Sequence, residues 1–255
     1  MEYFVNKRSI VREIWGDADI ILFIFAGAAA EFALNKAVDW LYFTGRLPAD
    51  PLGRLFSTVN YARAIVFSEN NPALRTIDAM TNIHAQVEKK RGERIPDWAY
   101  RDVLFMLIDY STRSFELLKR KMTQAEKQEV FHVFYRVGSR MGISGLPDTY
   151  ESWKESRKEH LQQNLIKGDL TIDLFSQYRK HLGFLRYSVL VEAQILVVPQ
   201  TVRKLLAFRE ASLLRPFVGL YKLSRSFKLD WLLKGLLLPS QYKKEIQALD
   251  NRPSL

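Results

Sequence analysis

With 255 residues, of which 47% are hydrophobic and 13% aromatic, the chain is long enough to bury one sizeable core. It has no cysteine, which excludes structural disulfides, thiolate-ligated haem, Cys-based zinc, iron–sulfur clusters and covalent haem attachment. The net charge of +10 is uneven: residues 165–255 hold 15 Lys and Arg against 7 Asp and Glu, so the basic character belongs to the C-terminal third.

The opening stretch, Met1-Glu2-Tyr3-Phe4-Val5-Asn6-Lys7-Arg8, lacks the basic segment, apolar run and small-residue cleavage site of a secretory signal, and the expectation is a cytoplasmic protein. The most apolar segment, Ile20 to Leu34, is interrupted by Glu31 and falls short of the roughly 20 residues that a bilayer requires. It reads as a buried helix, starting at the Asp17-Ala18-Asp19 cap, hydrophobic nearly all round and therefore central.

Asp50-Pro51 is the next start signal, with aspartate as cap and proline in the first helical position, and that helix runs to about Phe67. Asn71-Pro72 repeats the signal. Leu74, Ile77, Met80, His84 and Val87 then recur at three- and four-residue spacings, which turns His84 inward, before the Glu88-Lys89-Lys90-Arg91-Gly92 stop. Pro96 opens a long helix through Leu118, whose centre, Val103 to Ile108, reads as fully buried. Thr123-Gln124-Ala125-Glu126 is a capping box for a helix ending near Gly142. Leu146-Pro147-Asp148-Thr149 starts another, closed by Gly168, and further helices follow, broken at Gly183, Pro199, Pro216 and Pro239. No strand pattern, repeat or linker interrupts this series. The predicted architecture is all-α, a single domain over residues 1–255 of about ten helices.

Few side chains can do chemistry. The histidines are His84, His132, His160 and His181, and no His-Glu-x-x-His occurs. Glu129-Val130-Phe131-His132 matches one Glu-x-x-His of a di-iron bundle, but no second copy exists, and His132 falls toward the polar side of its helix. Glycine-rich nucleotide loops and the serine-hydrolase elbow are absent too. A single imidazole on an apolar helix suffices to hold a haem iron, leaving the other axial position for a small ligand. Arg54 and Thr58, four residues apart, share a face with Tyr61 and Ile65 and can address one ligand together, whereas Arg63 falls on another face and is expected at the surface. Glu31, inside an apolar helix, has two readings: a base that draws a proton from an intermediate, or half of a structural ion pair with a cation such as Arg54.

Three segments in combination resemble one family. Ser9-Ile10-Val11-Arg12-Glu13-Ile14-Trp15-Gly16-Asp17, Asp50-Pro51-Leu52-Gly53-Arg54 with Thr58, and Ile83-His84-Ala85-Gln86-Val87, followed by a weaker Leu237-Leu238-Pro239, are similar to the rubber oxygenase (latex-clearing protein) and mycophenolate-pathway oxygenase family. The resemblance implies a helical fold enclosing a non-covalent haem b, with His84 matching the proximal iron ligand and Arg54 and Thr58 the polar pair facing the cofactor. It further implies dioxygen and an unsaturated, apolar, isoprenoid- or lipid-like substrate. The chain departs from the family pattern at Ala28-Ala29-Ala30, where many members carry His-Pro, and at Leu104-Phe105-Met106-Leu107-Ile108-Asp109, which resembles a family segment that begins with histidine.

Two alternatives stand beside the oxygenase: a haem-binding sensor or carrier without turnover, and a haem-free helical protein at a membrane surface. Lys204, Arg209, Arg215, Lys222, Arg225 and Lys228 alternate with Leu205, Leu206, Phe208, Leu213, Leu214, Phe217 and Leu220. Such interleaving suits core packing with a solvated basic face or peripheral membrane contact, and not a nucleic-acid groove.

Overall fold

The computed structural model describes residues 2–45 and 51–226. Within them the chain forms eleven helices and no strand, only isolated bridges pairing Tyr3 with Glu69 and Asn35 with Leu165. In chain order the helices are α1 (Ile10–Trp15), α2 (Ala18–Phe32), α3 (Val38–Phe43), α4 (Pro51–Phe67), α5 (Asn70–Arg91), α6 (Asp97–Leu118), α7 (Gln124–Arg140), α8 (Tyr150–Gln163), α9 (Asp169–Val197), α10 (Gln200–Leu205) and α11 (Arg215–Ser226).

Their ends follow local chemistry. Asp17 caps α2 by accepting from the backbone N–H groups of Asp19 and Ile20. Thr123 and Glu126 form the reciprocal capping box of α7, with Thr123 Oγ1 accepting at 3.2 Å and Glu126 Oε2 accepting in return at 2.8 Å. Gly92 stops α5 in the left-handed conformation at φ 77°, which costs glycine nothing. α9 is kinked at Gly183 (φ 72°, ψ 171°), so the break expected there bends one long element instead of ending it. Asp50, Pro239 and the Leu237-Leu238-Pro239 segment lie outside the described residues.

α2 is the centre of the molecule, packed most extensively on α6 and next on α9. That explains its apolar surface on all sides: Ile20, Ile21 and Ile24 are fully buried, in one cluster with Trp15, Phe115 and Phe131. Each such side chain contributes about 1.5–3 kcal/mol of burial. The crossing with α6 is close because of Gly27, where an added Cβ would lie 2.3 Å from the Tyr110 ring. On the other side, α4 and α5 pack on each other, α4 on α1, and α5 and α1 on α7.

The centre of α6 differs from expectation. Leu104, Phe105, Met106 and Ile108 are buried, but Leu107 is half-buried and Val103 is 38% exposed. Tyr100, Val103 and Leu107 fall on one stripe of a 3.6-residue helix, and that stripe is turned away from α2. A continuous apolar run in sequence conceals this amphipathicity.

Candidate functional site

The most polar place in the interior lies between α2, α6 and α8. Glu31 has no exposure and receives both arms of Arg157, Nη1 donating to Oε1 at 2.5 Å and Nη2 to Oε2 at 2.6 Å. Tyr110 donates its hydroxyl to Glu31 at 2.8 Å, and His160 Nε2 lies 3.1 Å from the same carboxylate. The other ring nitrogen of His160 pairs with Asp102, which also accepts from Asn35 at 2.9 Å and Asn164 at 3.0 Å. Arg157 reaches on to Asp109 at 3.0 Å, and Arg113 closes the chain at 2.7 Å from Asp109. Backbone bonds from Ile166 to the Leu34 carbonyl (2.7 Å) and from Lys36 to the Asn164 carbonyl (2.9 Å) tie the ends of α2 and α8 together, setting this register.

Burial by itself would raise the Glu31 pKa, but Arg157 and His160 overcome it and bring the carboxyl down to about 2. For His160, burial works against the charged ring, and the carboxylates of Asp102 and Glu31 outweigh it, so its pKa is raised above 6.5. Each ring nitrogen faces a carboxylate, an arrangement that favours the charged ring. Three carboxylates (Glu31, Asp102, Asp109) thus meet three cations (Arg157, Arg113, His160), and every charge in the seam is matched. The positive partner of Glu31 is therefore Arg157, 126 residues away.

His84 sits elsewhere, on α5. It is half-buried, with its imidazole edge-on to Tyr100 of α6, centroids 5.2 Å apart and planes at 88°. Tyr100 donates its hydroxyl to Glu88 at 3.2 Å, and Glu88 also accepts from the backbone of Ile95 at 2.9 Å, anchoring the turn that joins the two helices. Burial and the Glu88 carboxylate raise the Tyr100 pKa and keep it a donor. Met80 and Val87 share the His84 face by spacing. Their neighbour Ile83 on α5 is 42% exposed, and Val103, one turn beyond Tyr100, is exposed as well.

The remaining candidate residues are less decided. Arg54 is in α4, but its side chain lies outside the described residues; Thr58 is half-buried on the same helix. Arg63, expected at the surface, is instead partly buried: it donates to the Trp15 carbonyl at 3.1 Å and lies over the Phe67 ring. The last carbonyls of a short helix lack internal partners, and an arginine from α4 supplies one to α1. His132 is exposed. Leu104, in place of the family histidine, is a core residue wedged against Gly138 of α7.

Sequence reasoning passed over Arg157, His160 and Asn164, although Trp153 and these three recur at four-, three- and four-residue spacings on one face of α8. A polar stripe continuing an apolar one was the available signal. It also passed over Tyr100.

Among the described residues no group of three or more His, Cys, Asp or Glu could hold a metal ion. An iron here would need a single protein imidazole and a macrocycle for its remaining ligands, which is the donor set of haem and not of a di-iron or zinc centre. His84, half-buried on α5, is the imidazole that the family resemblance assigns to such a group. No curated protein matches the chain. Residues 12–226 match the family model described as ER-bound oxygenase mpaB/B'/rubber oxygenase, catalytic domain, and with most of its length covered the chain belongs to that family of oxygenase catalytic domains.

Proposed function

We propose that the chain is a haem b-dependent oxygenase that uses dioxygen on an unsaturated apolar substrate of isoprenoid or lipid type, with His84 as the proximal iron ligand. The observation that carries this reading is the match of residues 12–226 to a family of oxygenase catalytic domains, with His84 a half-buried imidazole on a long helix against the Tyr100 ring. When bound, haem supplies an iron centre at which dioxygen is activated.

The residues of the chain hold and shield. His84 offers one ring nitrogen to the iron, and the edge of Tyr100, fixed through Glu88, sets the plane of the imidazole. Thr58 and, one turn earlier on α4, Arg54 are assigned to a haem propionate or a polarised oxygen species. Ile83 and Val103, apolar and exposed, suit a substrate without charges. Glu31 is assigned to the ion-pair seam and not to proton transfer, since Arg157, His160 and Tyr110 occupy its oxygens.

A second reading, haem binding without turnover, is favoured by Leu104, which removes a polar pocket group from this chain. Protein produced with a haem precursor should carry a Soret band that His84→Ala abolishes; an unchanged band in the variant rejects His84 as ligand. Oxygen uptake with a polyisoprene or prenyl lipid then separates the oxygenase from the carrier.

A further inference from the structure

The seven most exposed large apolar side chains of the described residues, at 55–74% exposure, are Phe184, Leu220, Leu213, Leu185, Ile172, Phe217 and Ile166. All of them lie in the C-terminal third that also holds the 15 Lys and Arg. Solvated basic faces do not need exposed Phe and Leu, and core packing does not leave them exposed. Two local structures present them. The Gly183 kink interrupts α9 and turns out Phe184 and Leu185, with the exposed Arg179 and Lys180 one turn before. In α11, Val218 lines a concavity of about 450 Å³ with Arg203 and Ser212, and Tyr221 packs on the main core, while Phe217 and Leu220 face outward three residues apart, with the exposed Leu213 in the turn before the helix.

Charge complements these side chains. From Pro199 to Ser226 the sequence has six Lys and Arg and one acidic residue, Glu210. Glu210 and Glu192 engage Arg203 and Arg209, and Lys204, Arg215 and Lys222 have no ion pair among the described residues. Exposed aromatic and aliphatic side chains on a basic helix are the features of an element that lies in the headgroup region of an anionic bilayer, its cations reaching to lipid phosphates along their apolar stems. No helix of the described residues is long and apolar enough to cross a membrane, so contact of this kind would be interfacial. We infer that the α9 kink and α11 dock this protein on the surface of an anionic lipid bilayer, with Phe184, Leu185, Phe217 and Leu220 inserted between headgroups. This inference does not depend on haem.

Flotation of the full chain with phosphatidylcholine vesicles, with and without a quarter of phosphatidylglycerol, tests it. The expected result is binding to the anionic vesicles that weakens with salt and is at least about tenfold weaker to the neutral ones. Phe217→Glu with Leu220→Glu, or Phe184→Ser with Leu185→Ser, should each lower the anionic binding at least about tenfold with an unchanged circular dichroism spectrum, because these side chains are already in water. Equal binding by the variants, no binding to either vesicle, or capture of single-stranded nucleic acid in preference to vesicles would each overturn the proposal. So would a self-association of the free chain that the variants abolish while vesicle binding persists.

Discussion

Two places in this molecule concentrate unusual side chains, and they are built oppositely. In the Glu31–Arg157–His160 seam each charge faces an opposite charge at close range, exposure is nearly nil, and three helices are joined. At His84 the ring is half-buried and perpendicular to the Tyr100 ring, and Ile83 and Val103 on the same two helices are exposed. Perturbed ionisation is often taken as the mark of a reactive site, yet here the strongest perturbation belongs to the closed seam. A fully matched cluster has no lone pair or proton left to offer, whereas a ligand site must keep one side open. The contrast gives the first place a role in stability, and it is at the second that binding is proposed.

The sharpest way to break that assignment is Arg157→Met, which strands Glu31 and Asp109 in the interior. It should cost about 3–5 kcal/mol in urea unfolding, and a loss below about 1 kcal/mol would mean that the seam is not what holds α2 to α8. Next, Gly27→Val forces a side chain into the Tyr110 ring, whose hydroxyl is tied to Glu31. About 1–3 kcal/mol is expected from overpacking at this crossing, and an unaltered unfolding midpoint would show that α2 and α6 can part without harm.

The pH dependence separates the two kinds of group within the seam. Glu31, depressed from 4.5 to about 2, contributes stability that is present above pH 4.5 and is lost as the pH falls toward 2. His160, raised from 6.5, contributes stability that is complete below pH 6.5 and is lost as the pH rises through its higher folded value. Unfolding midpoints should therefore peak between these limits, and His160→Gln should flatten the alkaline decline while leaving the acid one. A variant with the parent's alkaline slope would place the titration elsewhere. The smallest effect on stability is expected for His84→Ala, within about 1 kcal/mol of the parent for a half-buried ring, even as the Soret band disappears. Severe destabilisation by this change would put His84 in the core and erase the contrast.

Much of the helical segmentation was legible because its signals act within one turn. Asp17, the Thr123–Glu126 box, Pro96 and Gly92 satisfy or terminate backbone groups two to four residues away. The six-residue helices α1 and α3 escaped, being too short to show a period. The Asn71-Pro72 start and the three- and four-residue spacing placed His84 on a long helix with an apolar face, but its degree of burial and its Tyr100 neighbour depend on how α5 meets α6. The unbroken apolar run put Val103 and Leu107 in the core, and its helix face put Arg63 at the surface, but exposure is decided by which neighbouring helix faces each of them.

What the sequence determined by itself is the all-helical fold, the helix ends and the scarcity of metal-binding side chains, since these rest on short-range hydrogen bonding and on counting. Only the tertiary structure decided that Glu31 is answered by Arg157 and not by Arg54, that His160 lies between two carboxylates, and that the basic third presents its Phe and Leu outward. Pairing across more than a hundred residues is selected by the packing of α6 against both α2 and α8. A buried charge takes whichever partner that packing brings within reach, because leaving it alone costs more than any local preference can offset.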